Sequence, residues 1–377
     1  MPSKATRRDL LLLAEKFNPE KCDPQGMLMS EKLDGTRVWW DGGVSRGVPT
    51  IDVPWANIWD KDGVTLKKKI KPTATGLWTR YGNPMQAPEW FLDALPKGVS
   101  LDGEMYAGHG NFQYVQSATR KDVPVDSEWE GIAYHVFGCP TYAQVLQDGL
   151  IKLSGNVTYL REIDQCDCCA FVADRLNQMR PRGSVVVCEE SLLDAPSLPF
   201  LQELTEIEAI CNINNSPLCV PVPHTICESM DQVCRLAKEV DEAGGEGMML
   251  REPDSVWFPK RRKFIQKVKP RHDDEAKIVG FFGGRKGKTG QFLGKLGGLI
   301  VDWNGVVFEL GTGLTHADRN VFDLDIDKCK ANQGKPVAGM LDTPVFSVGD
   351  VVTFSYRELS DDGVPKEAAY LRIRDDQ

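Results

Sequence analysis

Nowhere in the chain does a run of apolar residues approach the ~20 needed to span a bilayer as a helix, which argues against a helical membrane segment. Positive charge is also short: 45 Lys and Arg stand against 54 Asp and Glu, a formal net charge of −9. A generally basic nucleic-acid binder is therefore excluded, and any DNA contact has to come from a local basic surface on an acidic body. There is no internal repeat and no low-complexity tract, so solenoid and linker-like architectures drop out. Complete phosphate-loop signatures are missing too. Gly108-His109-Gly110-Asn111-Phe112 fits neither dinucleotide nor P-loop spacing, and the loop at 283–289, GGRKGKT, is one residue short between its glycines and lies between strands. The 11 cysteines show no regular ligand arrangement. Cys166-x-x-Cys169 with Cys219, His224 and Cys227 has no second ligand pair, so buried thiols are expected rather than zinc. A leader peptide is not expected either, because the run Leu10 to Leu13 stops at Ala14-Glu15-Lys16 without a small-residue cleavage site. That segment reads as a short amphipathic helix, and the protein as cytoplasmic with reduced cysteines.

What is present is an ordinary globular composition, 41% hydrophobic and 26% charged, over 377 residues, enough for two domains. The informative stretch is Ser30 to Arg37, SEKLDGTR. Read alone, it is a strand edge running into an Asp34-Gly35 turn. It also sets a lysine, Lys32, near a second cation, Arg37, and an apolar run, Val38-Trp39-Trp40. A lysine amine holds its proton at neutral pH, with a pKa near ~10.4. A neighbouring cation, a metal or an apolar wall frees its lone pair for attack. An amine so freed can attack the α-phosphate of a nucleoside triphosphate, expel pyrophosphate and store the nucleotide on nitrogen.

Other segments follow in order. Met27 to Trp40 reads as strand, tight turn, strand. Between Gly42 and Gly76 the pattern weakens, and Lys67-Lys68-Lys69 with Lys71 reads as a solvated face. Pro88-Glu89-Trp90-Phe91-Leu92 opens a short helix. Leu101 to Tyr106 alternates as a strand with one wet face: read alone it is a hydrated edge strand, and with that face in a pocket the Glu104 carboxylate would hold Mg²⁺, a hard cation that prefers oxygen ligands. Ile132 to Phe137 is an apolar strand. Ser229 to Gln232 forms a capping box for a helix ending at Gly244-Gly245. Glu246 leads a strand through Arg251, and Lys267 and Lys269 share a strand face suited to a triphosphate. Five short strands, Ala276 to Phe282, Gly298 to Trp303, Val306 to Gly311, Val351 to Tyr356 and Tyr370 to Arg374, suggest a small closed β-barrel after a connector at Pro270 to Glu275.

SEKLDGTR, WTRYGNPMQAPEWF, LDGEMYAG, YHVFG, EGMMLR and KVKP, in that order, resemble the covalent nucleotidyltransferase superfamily, most closely the short ATP-dependent DNA ligases of phage and bacterial type. The resemblance implies an α+β protein: an adenylation (nucleotidyltransferase) domain of antiparallel sheets and helices over 1–269, then an OB-fold β-barrel over 270–377. A 1–25 extension and an insertion at about 141–224 would be additions to the first domain. It implies ATP and Mg²⁺ as cofactors, and as activity the sealing of nicked duplex DNA, in replication or repair, by a monomer that contacts no membrane. Lys32 would be the nucleophile. Ser30, Glu31, Arg37, Glu104, Phe137, Lys267 and Lys269 would bind nucleotide, with Phe137 stacking on adenine. Glu104 and Glu246 would hold the metal. Arg37, Arg80, Asp34, Arg285, Lys286 and Lys288 would face the nick or the DNA backbone, with Ser45-Arg46 competing with Thr79-Arg80 for the nick phosphate. Arg372 and Arg374 loosely match a C-terminal arginine motif. The sequence departs from the pattern at Gly138, where the family often has aspartate. An RNA ligase or an mRNA-capping guanylyltransferase uses the same lysine chemistry, and a non-catalytic DNA-binding protein is the alternative of another class.

Overall fold

The computed structural model describes residues 10–60, 62, 64–146, 151–154, 157–160, 167–179, 197–284, 295–320, 345–360 and 362–374. The chain forms two compact units and passes from one to the other between Val268 and Lys269. Strands of the first unit are β1 (Leu12–Lys16), β2 (Leu28–Glu31), β3 (Thr36–Trp40), β4 (Leu77–Thr79), β5 (Leu101–Tyr106), β6 (Ala133–Gly138), β7 (Ile151–Ser154), β8 (Val157–Leu160), β9 (Cys219–Pro221), β10 (Thr225–Ile226), β11 (Met248–Arg251) and β12 (Lys260–Val268). Its α-helices are α1 (Glu89–Asp93), α2 (Phe112–Arg120), α3 (Asp126–Trp129), α4 (Tyr142–Leu146), α5 (Asp167–Met179), α6 (Phe200–Asn214) and α7 (Met230–Glu242). Two five-stranded sheets result, ordered β1-β12-β11-β2-β10 and β4-β3-β5-β6-β9, while among the described residues β7 and β8 form a two-stranded sheet. Within the two large sheets all neighbours are antiparallel except β1 with β12 and β6 with β9.

Period-two alternation gives each large sheet a sealed back and an open front. In the first sheet Met29, Met248 and Leu250 turn into a core with Val233 and Ala237 of α7. The alternate residues Leu28, Ser30, Met249, Arg251 and Ile265 line a cleft. In the second, Val38, Trp40, Leu101, Met105, Tyr134 and Val136 pack with Phe91, Val115 and Trp129 from the helices. Arg37 and Phe137 are left to the cleft. A further cluster joins Leu10, Leu11 and Leu12 to Trp39, Trp55 and Trp78. In it Trp55 stands edge-to-face against Trp39 and Trp78, with ring centroids 5.7 and 5.9 Å away.

The leucine-rich segment near the N-terminus is therefore a strand where the sequence suggests an amphipathic helix. β1 lies along β12, and Leu10, Leu11 and Leu12 are buried. Burial of each leucine contributes roughly 1.5–3 kcal/mol. Intrinsic helix preference is worth about 0.7 kcal/mol per residue or less, so tertiary pairing overrides it. Likewise the two strands either side of Asp34-Gly35 do not pair with each other: β2 and β3 belong to different sheets. Gly35 crosses between them so close to β5 that a Cβ there would run into the carbonyl oxygen of Met105.

The second unit holds β13 (His272–Gly283), β14 (Leu296–Trp303), β15 (Val306–Leu310), a short α8 (His316–Asn320), β16 (Val351–Tyr356), β17 (Glu358–Leu359), β18 (Pro365–Lys366) and β19 (Ala369–Ile373). Its sheet runs β15-β14-β13-β16-β19 around a core of Ile278, Phe281, Leu299, Val301, Leu310, Phe346, Val352 and Phe354. The five expected strands are all there, but among the described residues they do not close into a barrel through a continuous ladder. The edges touch at a single parallel bridge, Thr312 with Ala369. Gly313, at φ +91°, turns the chain directly afterwards. No helix among the described residues is long and apolar enough to cross a membrane.

Candidate active site

Lys32 follows directly on β2, its amide donating to the Gly247 carbonyl at 2.8 Å. Alternation carries its side chain to the same side as Ser30. Its Nζ forms an ion pair with Glu246, whose side chain is only 6% exposed while that of Lys32 is 23% exposed. The amine is thus partly exposed, two residues beyond the cleft-lining Ser30, and already touches a carboxylate able to take its proton. The sequence suggests Arg37 and the two tryptophans as the agents that unburden Lys32. Instead, Trp39 and Trp40 are core residues with no exposed face. Arg37 is held by Asp102 through two bonds of 2.7 Å, Nε to Oδ1 and Nη2 to Oδ2. Asp102 also accepts from the Trp257 indole at 2.9 Å.

Register sets Arg37 beside Glu104 and Glu104 beside His135, so all three side chains share the cleft face of the second sheet. Burial pushes the Glu104 carboxyl up to about 7; Lys32 and Arg37 pull it down, and Glu246 and Asp102 push it further up. Two carboxylates that repel each other beside the Lys32 amine suit a hard cation, which would complete its shell with further oxygen ligands. No cluster of three or more His, Cys, Asp or Glu capable of holding a metal occurs among the described residues. Burial pushes His135 down. Glu31 is bonded to His109 Nε2 at 2.7 Å, and His109 Nδ1 is bonded to the Ala243 carbonyl at 2.9 Å.

The cleft encloses about 400 Å³, its open mouth included, and is lined by Leu28, Ser30, Glu31, Arg37, Phe137, Phe200, His224, Met249, Arg251 and Ile265. The Arg37 guanidinium lies 4.5 Å from the centre of the Phe137 ring. Phe200, His224, Met249, Arg251 and Ile265 are absent from the sequence-derived site. Alternation along EGMMLR, and along the strand leading to Lys267, was a usable signal for Met249, Arg251 and Ile265. Phe200 and His224 carry no local signal, because they come from the interval where the motif pattern fades. Arg251 lies 3.7 Å over the Phe200 ring and bonds Glu203 at 3.0 Å and Ser255 at 3.2 Å.

Other expected residues are spread more widely. Lys267 pairs with Met249 and so shares the cleft face. β12 ends at Val268, and Lys269 is the first residue of the second unit, so one strand face does not carry both lysines. Asp34 lies between β2 and β3, where its charge, with that of Glu31, acts on the Tyr106 hydroxyl. Arg80 lies just beyond β4, whose Thr79 pairs with Val38. It stacks on Tyr81 at 4.4 Å and bonds the Tyr81 hydroxyl. Arg46 is engaged by Glu89 and Asp93 of α1, and Ser45 is buried against Asp41. Arg372 is exposed on β19, and Arg374 pairs with Glu275. Arg285, Lys286 and Lys288 lie outside the described residues, as do Cys166 and the Cys169 side chain. The remaining zinc candidates are apart: Cys219 packs with Cys211 at 3.8 Å, and Cys227 belongs to the core beneath α7.

Residues 286–374 match the family described as the DNA ligase OB-like domain. A curated DNA ligase of Haemophilus influenzae is 23% identical over 362 residues, 96% of this chain and 91% of its own length. Among solved structures, one of the Lig E DNA ligases is 23% identical, covers 97% of this chain and 98% of its own, and superimposes with a TM-score of 0.58. Another, Pmar-Lig, is 15% identical with a TM-score of 0.57, over all of this chain and 70% of its own. The fold is thus that of the DNA ligases it superimposes on, and the matched OB-like domain falls within the second unit.

Proposed function

We propose that this chain is an ATP-dependent DNA ligase that seals nicks in duplex DNA through AMP carried on Lys32. The observation that carries the proposal is Lys32 in contact with Glu246, beside a cleft walled by Phe137, Met249 and Ile265.

The Lys32 ammonium loses its proton through its ion-pair partner Glu246 to water, which leaves Glu246 a carboxylate. The freed amine attacks the α-phosphorus of ATP; a P–N bond forms and the bond to pyrophosphate breaks. Lys267, from the cleft face of β12, offsets charge on the phosphates. Ser30 and Glu31 contribute contacts to the nucleotide, and Phe137 and Met249 offer apolar surface to the two faces of the base. A divalent ion such as Mg²⁺, held by Glu104 and Glu246, would supply further charge neutralisation at the α-phosphate. In the second step an oxygen of the nick's 5′-phosphate attacks the same phosphorus. The P–N bond breaks and Lys32 regains its proton. Arg37, fixed by Asp102, together with Arg80 and Asp34, orients that phosphate. Finally the 3′-hydroxyl attacks the 5′-phosphate and AMP leaves. Arg80 is preferred over Arg46 because two carboxylates already engage Arg46 at the Trp40 end of β3, away from Lys32. A cytoplasmic monomer acting in replication or repair accords with this chemistry.

The test is incubation with α-labelled ATP or GTP and Mg²⁺, followed by a chase with nicked duplex DNA or with RNA. Label from ATP that discharges onto nicked DNA is expected. Label from GTP would overturn the proposal in favour of an RNA-capping activity, and no label at all would leave a DNA-binding protein without the chemistry.

A further inference from the structure

We propose that His224 selects the base of the nucleotide, its Nε2 accepting a hydrogen bond from the 6-amino group of adenine. The inference deepens the ligase reading and rests on it, since it takes the cleft beside Lys32 to be the nucleotide site.

The tautomer is fixed by the partner. Nδ1 of His224 lies 2.8 Å from the Val222 carbonyl oxygen, which can only accept, so the proton sits on Nδ1 and Nε2 keeps its lone pair. Burial, reinforced by Arg251, holds the imidazole neutral, its pKa pushed down to about 4 despite the Val222 bond. At neutral pH the ring therefore brings an acceptor to the cleft wall.

Its neighbours hold it still. The ring stands edge-to-face on Phe200, 5.2 Å between centroids and 82° between planes. Phe200 is in turn covered by Arg251, which Glu203 and Ser255 fix from behind. The next residue in the chain, Thr225, pairs with Met29 on β2, which leaves His224 beside the Ser30 position, two residues from the nucleophile.

The other charged groups on the wall already hold protein partners. Arg37 and Arg251 are donors bonded to Asp102 and Glu203, and Glu31 is bonded to His109. Beside the Ser30 hydroxyl, His224 stands on this wall as a rigid, neutral acceptor. Adenine presents an N–H donor at position 6. Guanine presents a carbonyl oxygen there, whose lone pairs would face those of Nε2 at a cost no rotation of the fixed ring can relieve.

The experiment compares self-labelling of Lys32 in the full chain by ATP and by the triphosphate of purine riboside, which lacks the 6-amino group. Wild type is expected to prefer ATP by about tenfold in kcat/KM, the worth of one hydrogen bond. His224→Phe, which keeps an aromatic ring against Phe200 but has no acceptor, is expected to bring the two substrates within about twofold, chiefly by losing efficiency with ATP. His224→Gln, which restores an acceptor oxygen, is expected to recover part of the preference. Equal labelling of wild type by the two triphosphates would overturn the proposal whether or not the variants fold. So would an undiminished ATP preference in His224→Phe. A wild type that takes label from neither triphosphate would overturn the ligase reading itself, a result distinct from labelling without base preference.

Discussion

In the proposed reaction Lys32 takes part in the first two steps and not in the last. Lys32→Ala is expected to abolish joining from ATP, because no P–N bond can form. The same variant should still close a nick supplied with AMP already on its 5′-phosphate, since the last step does not use the amine; gel assays of the two substrates check both outcomes. Glu104 is a sensor of another kind. Burial raises its carboxyl from 4.5 to about 7. The folded state therefore binds this proton more tightly than the unfolded state does. The stability this contributes is fully present below about 4.5 and is lost as pH rises through about 7. Thermal melts without divalent ions should show that loss in wild type and a flatter profile in Glu104→Gln, while Mg²⁺ should recover stability near neutral pH in wild type alone.

At the level of elements, the cleft depends on pieces that hold each other from a distance. α6 delivers Phe200 and Glu203, and Glu203 meets Arg251 of β11 with both side chains at most 5% exposed. Removing one partner of a buried pair leaves the other uncompensated, at a cost of about 3–5 kcal/mol. Glu203→Ala is expected to lower stability by that order in denaturant melts and to weaken nucleotide binding by loosening the Phe200 wall. The start of α7 is more local. The Ser229 hydroxyl accepts from the Gln232 amide at 3.2 Å, and the Gln232 side chain accepts from the Glu228 amide at 2.7 Å. Ser229→Ala should cost about 1 kcal/mol without changing the labelling of Lys32. The cap was legible in four residues because its partners lie within one turn; the strand identity of Leu12–Lys16 was not, because its partner is some 250 residues away in β12.

For the molecule as a whole, a net charge of −9 means that affinity for DNA has to be concentrated in few places. Replacing Arg285, Lys286 and Lys288 together with alanine is expected to leave Lys32 labelling in place. It should weaken nicked-DNA binding and reduce the salt slope of binding by about 2–3, as expected for roughly three lost phosphate contacts. An unchanged slope would show that these three side chains do not touch the backbone. Amino-acid order alone singled out Lys32 and the carboxylates Glu104 and Glu246 as candidates, and determined the strand that carries Phe137 and the five strands of the second unit. These depend on short-range features, such as a motif, an alternation or a turn, that a single stretch contains in full. Tertiary structure alone decided that Lys32 answers to Glu246 rather than to Arg37, that β2 and β3 part into separate sheets, and that Phe200 and His224 wall the cleft. Each of those is a contact between segments far apart in the chain, where the energy of burial and pairing resides in the partner and leaves no trace in the local sequence.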